Sequence, residues 1–227
     1  MKTTLSFDGQ AAALLLIDFQ EEQRHDPLYK VPGLGQILKN AARLLDTARA
    51  LDHMVVHAAY IRDLTKVPLR PYEPTATDGK PTFSDAANPL TAICHEVAPR
   101  DGEPVITKND ASAFSEGDLA ARLKARGITW LVVSGVWTEA CVAATVRDAT
   151  AQGFRVLLVK DACGSATSAM HKTAVLNLAN RLYGGAVADT ERAVSLLKGE
   201  AAEAFVAERP VPILFNFTDA AQHYADL

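Results

Sequence analysis

The chain has 227 residues, a formal net charge of −4 and a pI near 5.9. That length suffices for one sizeable α/β core, so residues 1–227 are expected to form a single domain, with a core over about 11–197 and a tail over 198–227. The acidic balance offers no basic field for nucleic acid or an anionic membrane, and no apolar run reaches the roughly 20 residues that span a bilayer.

From the amino terminus, Met1 to Asp8 carries no extended apolar signal segment. The run Ala12-Ala13-Leu14-Leu15-Leu16-Ile17 then reads as a buried strand that ends on Asp18, and residues 35–51 carry apolar side chains at helical spacing. A second strand over 54–59 contains His57, which inside such a run reads as a core histidine rather than a metal ligand. Residues 63–103 break the pattern, because Pro68, Pro71, Pro74, Pro81, Pro89 and Pro99 interrupt any long element; loops of that length are often functional. A third strand over 104–107 ends on Lys108 and is followed by a helix over 115–126.

Next comes the run Ile128-Thr129-Trp130-Leu131-Val132-Val133-Ser134, a turn at Gly135, and a helical pattern over 142–152, which places Cys141 where a strand gives way to a helix. Strand-like and helix-like stretches continue over 155–159, 168–182, 186–188 and 190–197, and residues 200–208 read as helix-like. Strands alternating with helices imply an α/β fold: three α-β-α layers around a mostly parallel, doubly wound sheet of about six strands. In such sheets sites form at the carboxyl ends of strands, which brings Asp18, Lys108 and the Cys141 turn to one edge. Taken singly, Asp18 also suits a turn or helix cap, Lys108 a surface charge, and Cys141 a small core residue. The three cysteines, Cys94, Cys141 and Cys163, are odd in number and widely spaced, which suits a reducing, cytoplasmic compartment; no CxxC or HExxH spacing points to zinc.

Three segments in this order resemble the isochorismatase-like cysteine hydrolase superfamily: Leu15-Leu16-Ile17-Asp18-Phe19-Gln20; Val105-Ile106-Thr107-Lys108 with Ser112-Ala113-Phe114; and Ser134 to Val142. The superfamily includes nicotinamidases, N-carbamoylsarcosine amidase and other small-amide hydrolases. The resemblance implies an Asp18, Lys108, Cys141 triad, a cis peptide at Val136–Trp137, an oxyanion hole from the N–H groups of Trp137 and Cys141, and a homo-oligomer, either dimer or tetramer. In that reading Lys108 favours the Cys141 thiolate, and Asp18 takes the thiol proton and returns it to the leaving amine. Nicotinamidases place an Asp-x-His metal motif after the second strand, which residues 55–63 lack, so neither a metal nor another cofactor is expected. Isochorismatases that cleave a vinyl ether generally lack the cysteine, so Cys141 favours C–N hydrolysis of a small carboxamide or ureido compound. Vinyl-ether hydrolysis and a non-catalytic or thiol-redox protein are the alternatives. For substrate contacts, Phe19, Tyr60, Phe114 and Trp137 are candidates for an apolar wall, Arg62 for a carboxylate clamp, and Gln20 for an amide contact or a turn cap.

Overall fold

The computed structural model describes residues 2–227. Eight strands form one sheet: β1 (Lys2–Leu5), β2 (Ala12–Ile17), β3 (Met54–Tyr60), β4 (Val105–Lys108), β5 (Trp130–Val136), β6 (Arg155–Gly164), β7 (Ala186–Ala188) and β8 (Ala202–Phe205). Their spatial order is β1-β8-β7-β6-β5-β2-β3-β4. Strands β2 to β7 run parallel, whereas β8 pairs antiparallel with both β1 and β7.

The helices are α1 (Glu22–His25), α2 (Leu34–Ala50), α3 (Leu119–Ala125), α4 (Ala143–Ala151), α5 (Ser168–Ala179), α6 (Thr190–Leu197) and α7 (Ala220–Asp226). Every residue of β2 is buried, with Ala13, Leu15 and Ile17 packing into one apolar layer and Ala12, Leu14 and Leu16 into the other. This alternation follows from the two-residue period of a strand, and burial on both faces is what parallel sheets require. Helices α2 and α6 cover the second layer; α3, α4, α5 and the tail residues Ile213, Ala220 and Leu227 cover the first.

Two expectations are corrected. The sheet has eight strands rather than about six, because β1 and β8 join as an edge pair outside the parallel set. Residues 202–205, within the stretch expected to be helical, form β8: four ladder positions against β1 outweigh the helical preference of an alanine-rich stretch. Residues 63–103 form a long connection as expected, with single 3-10 turns at Pro89–Thr91 and His95–Val97 and isolated β-bridges at Thr75–Pro81, Asp85 and Ile93. The tail docks on its own domain: the Asn180 side-chain amide donates to the Ile213 carbonyl at 2.8 Å and its oxygen accepts from the Ile213 N–H at 2.9 Å.

Candidate active site

The parallel register places the ends of β2, β3, β4 and β5 side by side, with Ile17 opposite Ala58 and Gly135, and Tyr60 opposite Lys108. Sheet order reverses between β2 and β5, the crevice where open α/β sheets hold their ligands. Asp18 leaves β2 with φ of 53° while its N–H still bonds the Ala58 carbonyl at 2.9 Å. Aspartate tolerates this left-handed conformation better than most side chains.

Asp18 and Lys108 form a buried ion pair, Oδ2 to Nζ 2.8 Å, in which Lys108 is fully buried. The ammonium also donates to the Asp110 carbonyl at 3.2 Å and lies 4.9 Å from the centre of the Tyr60 ring. Asp18 Oδ1 is buried without a hydrogen-bond partner, a costly arrangement for a carboxylate. Cys141 sits within interaction range of both groups.

Its position depends on how β5 ends. A Cβ on Gly135 would lie 2.4 Å from the Ile17 carbonyl oxygen, so only glycine lets β5 approach β2 there. The Val136–Trp137 peptide is cis, as the resemblance implies. A π-helical turn, Thr138–Val142, then carries Cys141 into α4. The Trp137 carbonyl accepts from Ala140 N–H at 3.0 Å and Val142 N–H at 3.2 Å, which fixes the turn.

Burial, reinforced by the Asp18 charge and opposed by Lys108, pushes the Cys141 thiol up to about 12. Burial likewise raises the Asp18 carboxyl, against the pull of Lys108. Lys108 favours the thiolate, but desolvation and the neighbouring carboxylate oppose it more strongly, so the surroundings of Cys141 favour the thiol.

Asp18 and Cys141 open onto a cavity of about 340 Å³. Three nominated substrate contacts line it: Gln20, Tyr60 and Trp137. The Gln20 amide is already committed, its nitrogen donating to the Tyr60 and Thr91 carbonyls at 3.0 Å each and its oxygen accepting from Tyr60 N–H at 3.0 Å. It stitches strand ends together, and offers its remaining surface to the cavity. Trp137 is oriented by its indole N–H, which donates to Gln23 Oε1 at 2.7 Å.

The other three nominees lie elsewhere. Phe19 is buried in the α2 layer, and Phe114 stacks on Phe154 with ring centres 5.9 Å apart. Arg62 is buried and bidentate to Glu73, both contacts at 2.8 Å, so its donors are spent internally. The guanidinium in the cavity lining is that of Arg70, which pairs with Asp110 at 3.4 Å and donates to the Asn109 carbonyl. Glu73 connects the two arginines: the carboxylate held by Arg62 accepts the Arg70 backbone N–H at 2.9 Å.

Sequence reasoning also missed Tyr29, Phe83, Glu22 and Ser84, all of which line the cavity. Phe83 stacks on Tyr60 at 5.4 Å and meets Tyr29 at 5.3 Å, completing an aromatic wall. The buried Glu22 accepts from the backbone N–H of Ser84 at 3.0 Å and from its hydroxyl, tying the 63–103 connection to the site; burial raises its carboxyl pKa. Arg70, Phe83 and Ser84 belong to the proline-broken segment, where no periodicity signals what faces inward. His57 contacts Glu103 Oε2 at 3.1 Å, an internal partner that agrees with its reading as a core histidine.

Among the described residues, one cluster with metal-compatible spacing occurs, Glu21, Cys94 and Glu96, and its acids are engaged by Arg24 at 3.3 and 2.8 Å. Cys163 is buried, does not line the cavity, and its thiol is pushed by desolvation up to about 12.

The family model described as the isochorismatase domain matches residues 12–192. A maleamate amidohydrolase of Pseudomonas putida is 35% identical to this chain over 189 residues, covering 79% of this chain and 84% of its own. An N-carbamoylsarcosine amidase from an Arthrobacter species is 30% identical over 175 residues, covering 74% of this chain and 64% of its own. Among solved structures, an isochorismatase-family hydrolase from Chromobacterium violaceum superposes with a TM-score of 0.71 at 31% identity, covering 87% of this chain and 99% of that one.

Proposed function

The chain belongs to the isochorismatase family of hydrolases, and from that premise we propose that it is a metal-independent cysteine amidohydrolase acting on a small carboxamide or ureido compound that bears a carboxylate. The observation that carries this reading is Cys141 within reach of the buried Asp18–Lys108 pair at the cavity. The thiol rests protonated, so Asp18 accepts its proton as the sulfur attacks the carbonyl carbon, while Lys108 holds the aspartate in place. The N–H groups of Trp137 and Cys141 receive the developing oxyanion, each contributing about 3 kcal/mol. The C–N bond then breaks, Asp18 returns the proton to the leaving nitrogen, and ammonia or an amine departs from a Cys141 thioester. Water, deprotonated by Asp18, hydrolyses the thioester and restores the thiol.

Metal independence rests on the donors themselves. The segment 55–63 lacks Asp-x-His, and its one histidine is bound to Glu103. The carboxylate on the substrate is inferred from Arg70, whose guanidinium lines the cavity beside the rings of Tyr29, Tyr60, Phe83 and Trp137, and it agrees with the similarity to a maleamate amidohydrolase.

The test follows ammonia release by chelated wild-type and Cys141→Ala protein from maleamate, ureido acids, neutral primary amides and nicotinamide. Cysteine-dependent release, strongest with the acidic amides, is the expected result. Full activity in Cys141→Ala overturns the mechanism, and activity that disappears on chelation and returns with a metal overturns metal independence.

A further inference from the structure

A line of side chains joins the carboxy-terminal helix to the turn that carries Cys141. Thr138 opens that turn, and its hydroxyl donates to the Gly164 carbonyl at 2.9 Å. Having given its one proton there, the hydroxyl accepts from His171 Nδ1 at 2.8 Å. His171 thus carries its proton on Nδ1, and its Nε2 accepts from the Tyr224 hydroxyl at 2.9 Å. The Tyr224 hydroxyl also reaches the Lys160 carbonyl at 3.4 Å, and the shorter contact to Nε2 is taken as the one that receives its proton; burial pushes the imidazole down to about 4, so the ring is neutral at pH 7 as the pattern requires. Tyr224 lies on α7, beyond the residues that match the family. Lys160 anchors it, donating to the Tyr224 carbonyl at 2.9 Å with the ammonium 5.0 Å from the ring centre. The His171 and Tyr224 rings meet edge to face at 5.4 Å.

We propose that Tyr224, His171 and Thr138 are positioning residues through which the carboxy-terminal helix sets the nucleophile turn. None of the three lines the cavity; they act through Cys141, three residues after Thr138. The inference rests on Cys141 being the attacking group. A half-buried thiol beside its base reacts efficiently only when the two are aligned, and a displacement of about 1 Å costs on the order of 100-fold. The relay holds the turn against the end of β6 through hydrogen bonds that are otherwise satisfied at both ends, so losing one member leaves a buried polar atom free to pull the turn out of register.

The experiment measures the rate at which iodoacetamide alkylates Cys141 in the full-length protein, followed by peptide mass, together with the melting temperature. Tyr224→Phe keeps the ring and removes the donor, and is expected to slow alkylation about 10-fold. His171→Asn, whose amide can donate in place of Nδ1–H, is expected to react faster than His171→Leu, although leucine suits the buried position at least as well and melts no lower. Rates within twofold of wild type in Tyr224→Phe, faster alkylation, or rates that simply follow melting temperature would overturn the relay. Maleamate turnover by Cys141→Ala is scored in parallel: turnover there defeats the nucleophile reading, whereas unaltered alkylation in Tyr224→Phe defeats the relay alone.

Discussion

Asp18 and Cys141 each have an environment that opposes their charged form, which in the proposed mechanism sets the conditions for proton transfer between them. With the thiol pushed up to about 12, alkylation of wild-type protein should show no plateau near the ordinary thiol value of roughly 8.5. The Asp18 carboxyl is raised, and the base must be ionised, so kcat/KM should fall as pH drops through a value above 3.8. Asp18→Asn should lower kcat about 1,000-fold or more, measured by ammonia release, and should also lower the melting temperature, because it leaves the buried Lys108 ammonium without its counter-charge. The two arginines separate specificity from architecture. Arg70→Ala should raise KM about 10-fold for acidic amides and leave neutral ones within twofold, the loss of one charge-assisted contact. Arg62→Ala should instead destabilise by about 3 kcal/mol, because it breaks a buried pair and releases Glu73, and its KM effect should be similar for acidic and neutral substrates.

At the scale of elements, the site exists because strands β2 and β5 meet closely at their carboxyl ends. Gly135→Ala should cost about 3 kcal/mol, since its methyl group would collide with the Ile17 backbone rather than with a movable side chain. Urea unfolding measures it. Glu103 performs a comparable service beside β3, accepting from Arg49 at 2.8 Å through both oxygens and from Arg100 N–H at 2.8 Å, besides its contact with His57. Those bonds, chiefly the one from Arg49, lower its carboxyl from 4.5 to about 2. A depressed carboxylate stabilises the folded state above its unfolded value, so this contribution is complete above pH 4.5 and fades as pH falls toward 2. Glu103→Gln should lower stability by about 2 kcal/mol at pH 7 and flatten the acid limb of the stability curve. Elements outside the hydrophobic rhythm were the ones misread. β1 and β8 are four-residue strands that pair with each other across some 200 residues of chain, and no local pattern reveals that pairing.

For the molecule as a whole, we propose that one sheet covered by two apolar layers and a tail bonded to Asn180 unfold together as a single unit. Thermal unfolding followed by tryptophan fluorescence and by far-UV circular dichroism should therefore give one coincident transition. The parallel strands, the helices between them and the triad candidates were legible because each leaves a periodic or strand-end signature within about 20 residues. Asp18, Lys108 and Cys141 stand at such strand ends, and a parallel sheet necessarily brings its strand ends to one edge. Arg70, Phe83 and Tyr224 carry no such signature. They lie in a proline-broken connection and in a tail, where the chain path is set by what it packs against. Which arginine faces the cavity was decided by Glu73, 11 residues from Arg62, capturing that guanidinium in the tertiary structure. By itself the sequence determined the layers, the edge at which the strand ends meet and the candidate groups standing there, because periodicity and strand polarity are local. Only the tertiary structure decided what surrounds the Cys141 thiol, the walls of the cavity and the tail's contact with the turn that carries Cys141, because burial and charge proximity arise between segments distant in the chain.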